Sequence, residues 1–414
     1  MKTSFIRAQE KLIWGCVISY ALAYLCRLNL SATLGSIMES MRVSAARAGM
    51  LQTCFAIVYA AGQLINGMLA DRINPVRHML TGLAGTALCN ALIGLAGEFW
   101  MLPALCLFNG AFQSMLWTPI VRLVALRFPE GPGRVRANFL LSLTLIAGHM
   151  GAWSLSGLMS RLLQWRYAYI APACFVTLML FPLYLLLRDA EREMRSFSQN
   201  GRKTPARSFR YALQCYAQTG FLFILPGCVL YGFARDGIIT WAPELLVGIS
   251  GGNSGLASSI SLIIPAVNLL GVLFGYYLRF HGGRNSRITA SAMLFLAAAF
   301  CLPLFFTRLL PLCALVMGLS CACHYGLTPL LTSLIPMEYD RAGLVGLSAG
   351  LTDSFIYVGS ALSGAGEGAL YQASGAEGLF LSWTVASVGA GLLLLASRTK
   401  QKKMNEASGG NEHG

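Results

Sequence analysis

Charge is scarce in this sequence: only 12% of its 414 residues are Asp, Glu, Lys or Arg, against 56% that are hydrophobic. So small a supply of solvated side chains excludes an ordinary soluble globular chain of this length. Acidic residues are scarcer still, 17 against 31 Lys and Arg. No GxxxxGK[ST] phosphate loop occurs, which argues against direct use of ATP. No nucleophile and base fall together outside the apolar runs, so an enzyme is not expected. The start, MKTSFIRAQEKLIWG, has basic residues but no small-residue cleavage site, and reads as a retained first helix rather than a removed signal peptide. No segment remains to form a soluble domain, so the net charge of +14 does not point to nucleic acid.

The twelve cysteines do not form a framework, because nearly all lie inside apolar runs, as Cys16, Cys26, Cys54, Cys89 and Cys106 do. There cysteine behaves as a small hydrophobe. Cys321 and Cys323 are close in sequence but point to different helix faces and lack partner ligands, so no metal is expected. Nothing in the sequence asks for a cofactor.

What is present is a series of apolar runs of about 20 residues, each long enough to cross a hydrocarbon core of about 30 Å. Twelve are read, at 12–37, 46–70, 79–97, 99–126, 139–163, 168–187, 214–246, 256–278, 288–306, 309–336, 344–366 and 378–397. The fold class is therefore an all-α membrane protein of twelve transmembrane helices in a lipid bilayer. Most Lys and Arg fall in the termini and even-numbered connections, which places both termini in the cytoplasm, most simply at the plasma (inner) membrane. The longest polar connection, RDAEREMRSFSQNGRKTPARSFRY, follows the sixth run. It divides the chain into a half at 1–187, a cytoplasmic linker at 188–213, a half at 214–397 and a polar tail at 398–414.

Landmarks recur between the halves at one offset: Arg27 and Arg235, Gly67 and Gly275, and Glu130 and Glu338 are each 208 residues apart. Two six-helix repeats put a substrate site at their interface near the bilayer midplane. A guanidinium inside the membrane costs from about 2.5 to 10 kcal/mol or more, so it faces a partner or a wet cavity. Arg27 and Arg235 then share a ligand anion across the cavity. The competing reading pairs each with a neighbouring carboxylate, Arg235 with Asp236, or lets it snorkel to an interface. Adjacent helix residues point about 100° apart and both arginines lie deep in their runs, which favours the ligand.

Four motifs carry a family resemblance that extends over nearly the whole chain. GMLADRINPVR resembles the loop between the second and third spans of the major facilitator superfamily. NGAFQSMLWTPIVR, YALAYLCRLNLS and ARDGIITWAPELL resemble the fourth, first and seventh spans of the organophosphate:anion antiporters, the group of glycerol-3-phosphate and hexose-phosphate exchangers. The resemblance implies two pseudo-symmetric six-helix halves and a phosphate held by Arg27 and Arg235, whose planar forks suit phosphate as lysine does not. It also implies cavity roles for Tyr20, Tyr24, Tyr59, His149, Tyr325 and Tyr357; taken singly, each tyrosine is equally a packing residue and His149 a core histidine. His149 and Tyr357 are again 208 apart. Asp71 and Arg72 read as a gating loop, and Trp117, Pro119 and Arg122 as shaping the fourth span.

The sequence departs from the family at four positions. Gln63 stands where glycerol-3-phosphate exchangers carry a lysine one turn after the tyrosine at 59, and Thr240 replaces an acid before the tryptophan of the seventh span. Carboxylates appear instead at Asp236 and at Asp353, four residues before Tyr357. Two aspartates confronting two arginines leave three explanations open. The substrate carries an amine or second polar group read by Asp353; the aspartates pair with the arginines in one access state; or Asp353 titrates and couples transport to protons, as desolvation of a carboxylate permits. The leading expectation is a monomeric secondary carrier of small organic anions, phosphate esters exchanged for inorganic phosphate. The alternatives are a proton-coupled carrier of another organic anion and a transport-inactive sugar-phosphate sensor.

Overall fold

Apolar runs of this length leave the backbone no hydrogen-bond partner but itself, and in hydrocarbon the open-ended solution is a helix. A computed structural model describes residues 2–69, 73–128, 132–199, 209–281, 286–339, 342 and 344–409. Among them no strand occurs. The first half consists of α1 (Lys2–Leu25), α2 (Asn29–Met41), α3 (Ala45–Leu69), α4 (Pro75–Leu95), α5 (Met101–Arg127), α6 (Pro132–Leu162) and α7 (Tyr167–Gln199). The second holds α8 (Phe209–Thr219), α9 (Phe221–Ile249), α10 (Ser254–Ser261), α11 (Ile263–His281), α12 (Ser286–Cys301), α13 (Leu310–Pro329), α14 (Ile335–Met337) and α15 (Val345–Gly409). Punctuation follows the local chemistry. Asn74 caps α4 by accepting from the backbone N–H groups of Val76 and Arg77, with Pro75 at the first helical position. Pro329 ends α13 in a π-helical turn, Leu330–Leu334.

Ten helical stretches among the described residues are long and apolar enough to cross a membrane. The twelve runs read from the sequence differ from these at two places. The last stretch, Leu347–Ser397, is 51 residues long; it lies in α15, where Gly375 leaves helical geometry at φ 63°, ψ −155°. The runs at 344–366 and 378–397 lie on either side of that break. α6 covers the fifth run without being among the ten. α7 continues through Gln199, so the first part of the linker, 188–199, is helix. Asp71 and Arg72, assigned to a gating loop, lie outside the described residues.

The halves meet where α3 packs on α15, α2 on α9, and α10 and α11 on α6. Glycines bring the backbones together at the end of the molecule where α2 turns into α3. Cβ atoms at Gly49 and Gly364 would each meet the other's carbonyl oxygen, one at Gly368 the Ala45 carbonyl, and one at Gly35 the Glu244 carboxyl. Thr53 Oγ1 donates to the Ala361 carbonyl (2.5 Å), and Gln52 Nε2 to Ser360 Oγ (3.0 Å). At the opposite end, the ion pairs Arg77–Glu191 and Arg136–Glu10 lie within the first half and Arg287–Glu338 within the second.

Candidate functional site

The membrane crossing begun by α1 is interrupted at Cys26, Arg27 and Leu28 before α2 resumes it. An interruption at this depth frees backbone carbonyls that hydrocarbon cannot satisfy, and amide side chains of α4 and α5 satisfy them. Asn90 Nδ2 donates to the Cys26 carbonyl (3.0 Å), as do Asn109 Nδ2 (3.3 Å) and Gln113 Nε2 (3.2 Å); Gln113 also donates to the Ala23 carbonyl (3.3 Å). Held in this way, Gln113 turns its Oε1 to accept from Arg27 Nε at 2.7 Å. Arg27 therefore leaves the main chain from a turn, not from a continuous helix.

Aromatic rings surround the Arg27 guanidinium. Its carbon lies 4.5 Å from the Tyr59 ring centroid, 5.2 Å from Tyr24 and Phe55, and 5.9 Å from Tyr357. Such contacts are worth about 2 kcal/mol when desolvated, enough to offset part of the burial cost without neutralising the charge. Arg27 Nη1 donates to Tyr357 Oη at 3.1 Å, and no carboxylate bonds Arg27 among the described residues.

Arg235 is treated differently. Its Nε and Nη2 donate to the two oxygens of Asp236 at 2.6 and 3.0 Å, and Nη1 donates to Tyr231 Oη at 3.2 Å. The pair is nearly buried, with 11% and 13% of the two side chains exposed. Neighbouring positions on a helix diverge, but the long Arg side chain folds back far enough to make the bidentate contact. In this conformation the expected pair of equivalent arginines is thus one uncompensated cation and one ion pair. Both guanidinium carbons lie 5.9 Å from the Tyr357 ring centroid.

The remaining expected residues divide by placement. Tyr59 packs on Tyr357 (centroids 4.2 Å apart) and accepts from Gln63 Nε2 at 2.7 Å, while Gln63 Oε1 accepts from Thr118 Oγ1 at 3.1 Å. The amide at position 63 thereby bridges α3 to α5. Tyr20 sits edge-on to Tyr24 and against Trp117 (5.1 and 5.0 Å), which gives Trp117 a place behind the cage. Tyr325 is buried within electrostatic reach of Arg235, Asp236 and Tyr24. Asp353 stands within reach of Arg235 and Arg27, with no hydrogen-bond or ion-pair partner among the described residues. His149 is placed apart. It is buried edge-on against Trp153 (4.4 Å), its Nε2 has no partner among the described residues, and no described bond joins it to either arginine. The repeat offset matches it to Tyr357 in sequence, but it does not share that residue's surroundings.

Three residues were missed. Tyr231, one turn before Arg235, donates to the His324 carbonyl (3.0 Å), lies 2.7 Å from Thr328 Oγ1 and accepts from Arg235. Its spacing of four residues from Arg235, which places both on one helix face, identifies it. Gln113 carries no local signal beyond lying in an apolar run. Glu367 was left in a connection by ending the eleventh run at 366, whereas the structure buries it in α15. Its Oε1 accepts from Trp383 Nε1 at 3.0 Å, its Oε2 has no partner among the described residues, and its carboxyl occupies the space a Cβ at Gly237 would need.

Comparison with known proteins places this geometry in a family. The chain is 28% identical over 199 residues to the phosphoglycerate transporter protein of Salmonella typhimurium, covering 47% of this chain and 42% of that one. It is 24% identical over 272 residues to the glycerol-3-phosphate transporter of Bacillus subtilis, covering 61% and 60%. The chain thus spans about half the length of these curated relatives. Among solved structures, an inward-facing, unoccupied bacterial homologue of the human lysosomal transporter Spinster superposes with a TM-score of 0.76 at 17% identity, over 96% of this chain and 98% of that one. The nucleoside transporter NupG does so with 0.67 at 15% identity, over 94% and 98%; at such identities the likeness concerns fold alone. The family model of the Major Facilitator Superfamily matches residues 16–364, and the chain belongs to that superfamily of membrane transport proteins.

Proposed function

We infer that the protein exchanges small phosphate esters for inorganic phosphate by alternating access, with Arg27 as the principal phosphate ligand. The observation that carries this reading is Arg27 itself: a membrane-embedded guanidinium, caged by aromatic rings, anchored by Gln113 and bonded to no carboxylate among the described residues. A site that keeps a buried cation uncompensated gains its stabilisation when an anion arrives. Phosphate presents paired oxygens to a planar fork, and two relatives, a phosphoglycerate transporter and a glycerol-3-phosphate transporter, independently favour such a ligand. Arg235 joins as the second arm once the ligand displaces Asp236. The glycine seam between α3 and α15 closes one face of the site, and we place it on the extracytoplasmic side, opposite cytoplasmic termini.

The test is reconstitution into vesicles preloaded with phosphate, followed by uptake of labelled glycerol-3-phosphate and 3-phosphoglycerate. Uptake that depends on internal phosphate, and that Arg27→Lys abolishes without loss of protein, is the expected result. Uptake unaffected by Arg27→Lys overturns the arginine's role, and uptake driven by a pH gradient with no internal phosphate overturns exchange. That second outcome is the proton-coupled reading, which the buried Glu367 carboxyl, bonded by an indole and by no cation among the described residues, favours.

A further inference from the structure

The site holds two arginines and two aspartates, of which only Arg235 and Asp236 are bonded to each other, while Asp353 stands within reach of both cations. A site meant for a phosphate ester with no other charge has little use for a second carboxylate. Asp236 is accounted for by its bidentate contact with Arg235. Asp353 is not. Nε and both terminal nitrogens of Arg235 are already engaged by Asp236 and Tyr231, while Arg27 reaches Gln113 and Tyr357. Asp353 is only partly buried and feels both cations, yet accepts a hydrogen bond from neither. A carboxylate in a membrane cavity needs donors, and those absent from the protein are supplied by what enters the cavity.

The spacing indicates the donor. Asp353 lies four residues before Tyr357 on α15, one helical turn away on the same face, and the Tyr357 hydroxyl is bonded to Arg27. An anion seated on Arg27 therefore lies on the side of α15 that carries Asp353 one turn along. A phosphate joined by a short alkyl chain to a primary ammonium matches that order of cation and carboxylate. We propose that the substrate is a zwitterionic phosphate ester, an aminoalkyl phosphate whose phosphate meets Arg27 and whose ammonium donates to Asp353. This deepens the phosphate-ester reading above and rests on it. Gln63 fits the same scheme, since an amide bridging Tyr59 to Thr118 adds no positive charge to repel the ammonium.

The experiment compares O-phosphoethanolamine with glycerol-3-phosphate in phosphate-loaded vesicles, for the parent and for Asp353→Asn, with thermal unfolding to check that the variant folds. The parent is expected to take up phosphoethanolamine with a KM at least tenfold lower than that for glycerol-3-phosphate. Asp353→Asn, which keeps the shape and removes the charge, is expected to erase that ratio, while Asp353→Glu retains part of it. Equal use of the two esters by the parent, or an unchanged ratio in Asp353→Asn, overturns the proposal and leaves the phosphate-ester reading standing. Should Asp353→Asn not fold, the parent's ratio alone decides. Uptake of neither ester, with or without phosphate self-exchange, overturns the proposal; absence of phosphate self-exchange as well overturns the exchange reading with it.

Discussion

Removing the Asp236 carboxylate separates two properties that ordinarily change together. In the unliganded protein Arg235 and Asp236 form a bidentate, nearly buried pair, so Asp236→Asn leaves a guanidinium without its counter-charge. Breaking such a pair costs about 3–5 kcal/mol when fully buried, and less here because Tyr231 still accepts from Nη1 and both side chains retain some solvent. A loss of about 2–3 kcal/mol in the empty protein is the working figure. The ligand, however, no longer has to displace a carboxylate before using the Arg235 fork. A charge-assisted contact of this kind is worth about 1.5–3 kcal/mol, so affinity for inorganic phosphate should rise by about tenfold or more. The same variant is thus less stable when empty and more strongly stabilised by ligand, since stabilisation grows with the ratio of ligand concentration to Kd. Thermal unfolding in detergent across a phosphate titration reads both quantities at once. A lowered unfolding temperature with an unchanged phosphate response would refute the reasoning, because it would mean that Arg235 never meets the ligand.

Three further outcomes follow from the geometry. Glu367→Ala should lower stability by about 1–3 kcal/mol, because the buried Trp383 indole loses its acceptor, whereas Glu367→Gln keeps an acceptor and should stay within about 1 kcal/mol. If Glu367→Gln retains stability but removes any pH-gradient-driven uptake, the carboxyl carries a proton rather than a structural bond. Gly364→Val places a side chain against the Gly49 carbonyl and Thr53, at a cost of about 1–3 kcal/mol or more in the closed seam. Exchange in vesicles should fall at least tenfold while phosphate-induced thermal stabilisation survives; normal exchange would show that the seam is not a gate. Gln113→Leu removes the acceptor for Arg27 Nε and the donor to the Ala23 and Cys26 carbonyls, so it should weaken phosphate binding and lower stability together. An effect on stability alone would make Gln113 a scaffold residue with no hold on Arg27.

What could be read from the sequence divides along a physical line. Apolar length announces a membrane helix because hydrocarbon imposes the same demand on every crossing, and an arginine inside such a run is conspicuous because its cost is so large. Arg27 and Arg235 stand out on that basis, the family resemblance adds Tyr59 and Tyr357, and the structure brings the four close together. Interruptions of a crossing are not announced in the same way. Nothing local in YLCRLNL says that the helix stops at Leu25, because the partners that make the break tolerable, Asn90, Asn109 and Gln113, come from distant helices. Each of these amides, read alone, is one polar residue in an apolar run. Only assembled do they fix the main chain from which Arg27 projects.

The same limit explains why the two arginines, alike in the repeat, differ in chemistry. A 208-residue offset predicts equivalent backbone positions, and pairing within a site is decided by the next side chain along. Arg27 is followed by Leu28 and finds its partners on other helices; Arg235 is followed by Asp236 and finds one beside it. Pseudo-symmetry of the fold therefore coexists with asymmetry of charge. In the proposed exchange that asymmetry gives binding an order: an arriving anion meets Arg27 first, and then competes with Asp236 for Arg235. Because Arg27 belongs to the first half and Arg235 to the second, the second step links the halves through the ligand. A ligand that stopped at Arg27 would bind without drawing the second half in. In the proposed exchange, closure of the cavity is tied to the displacement of Asp236 by phosphate.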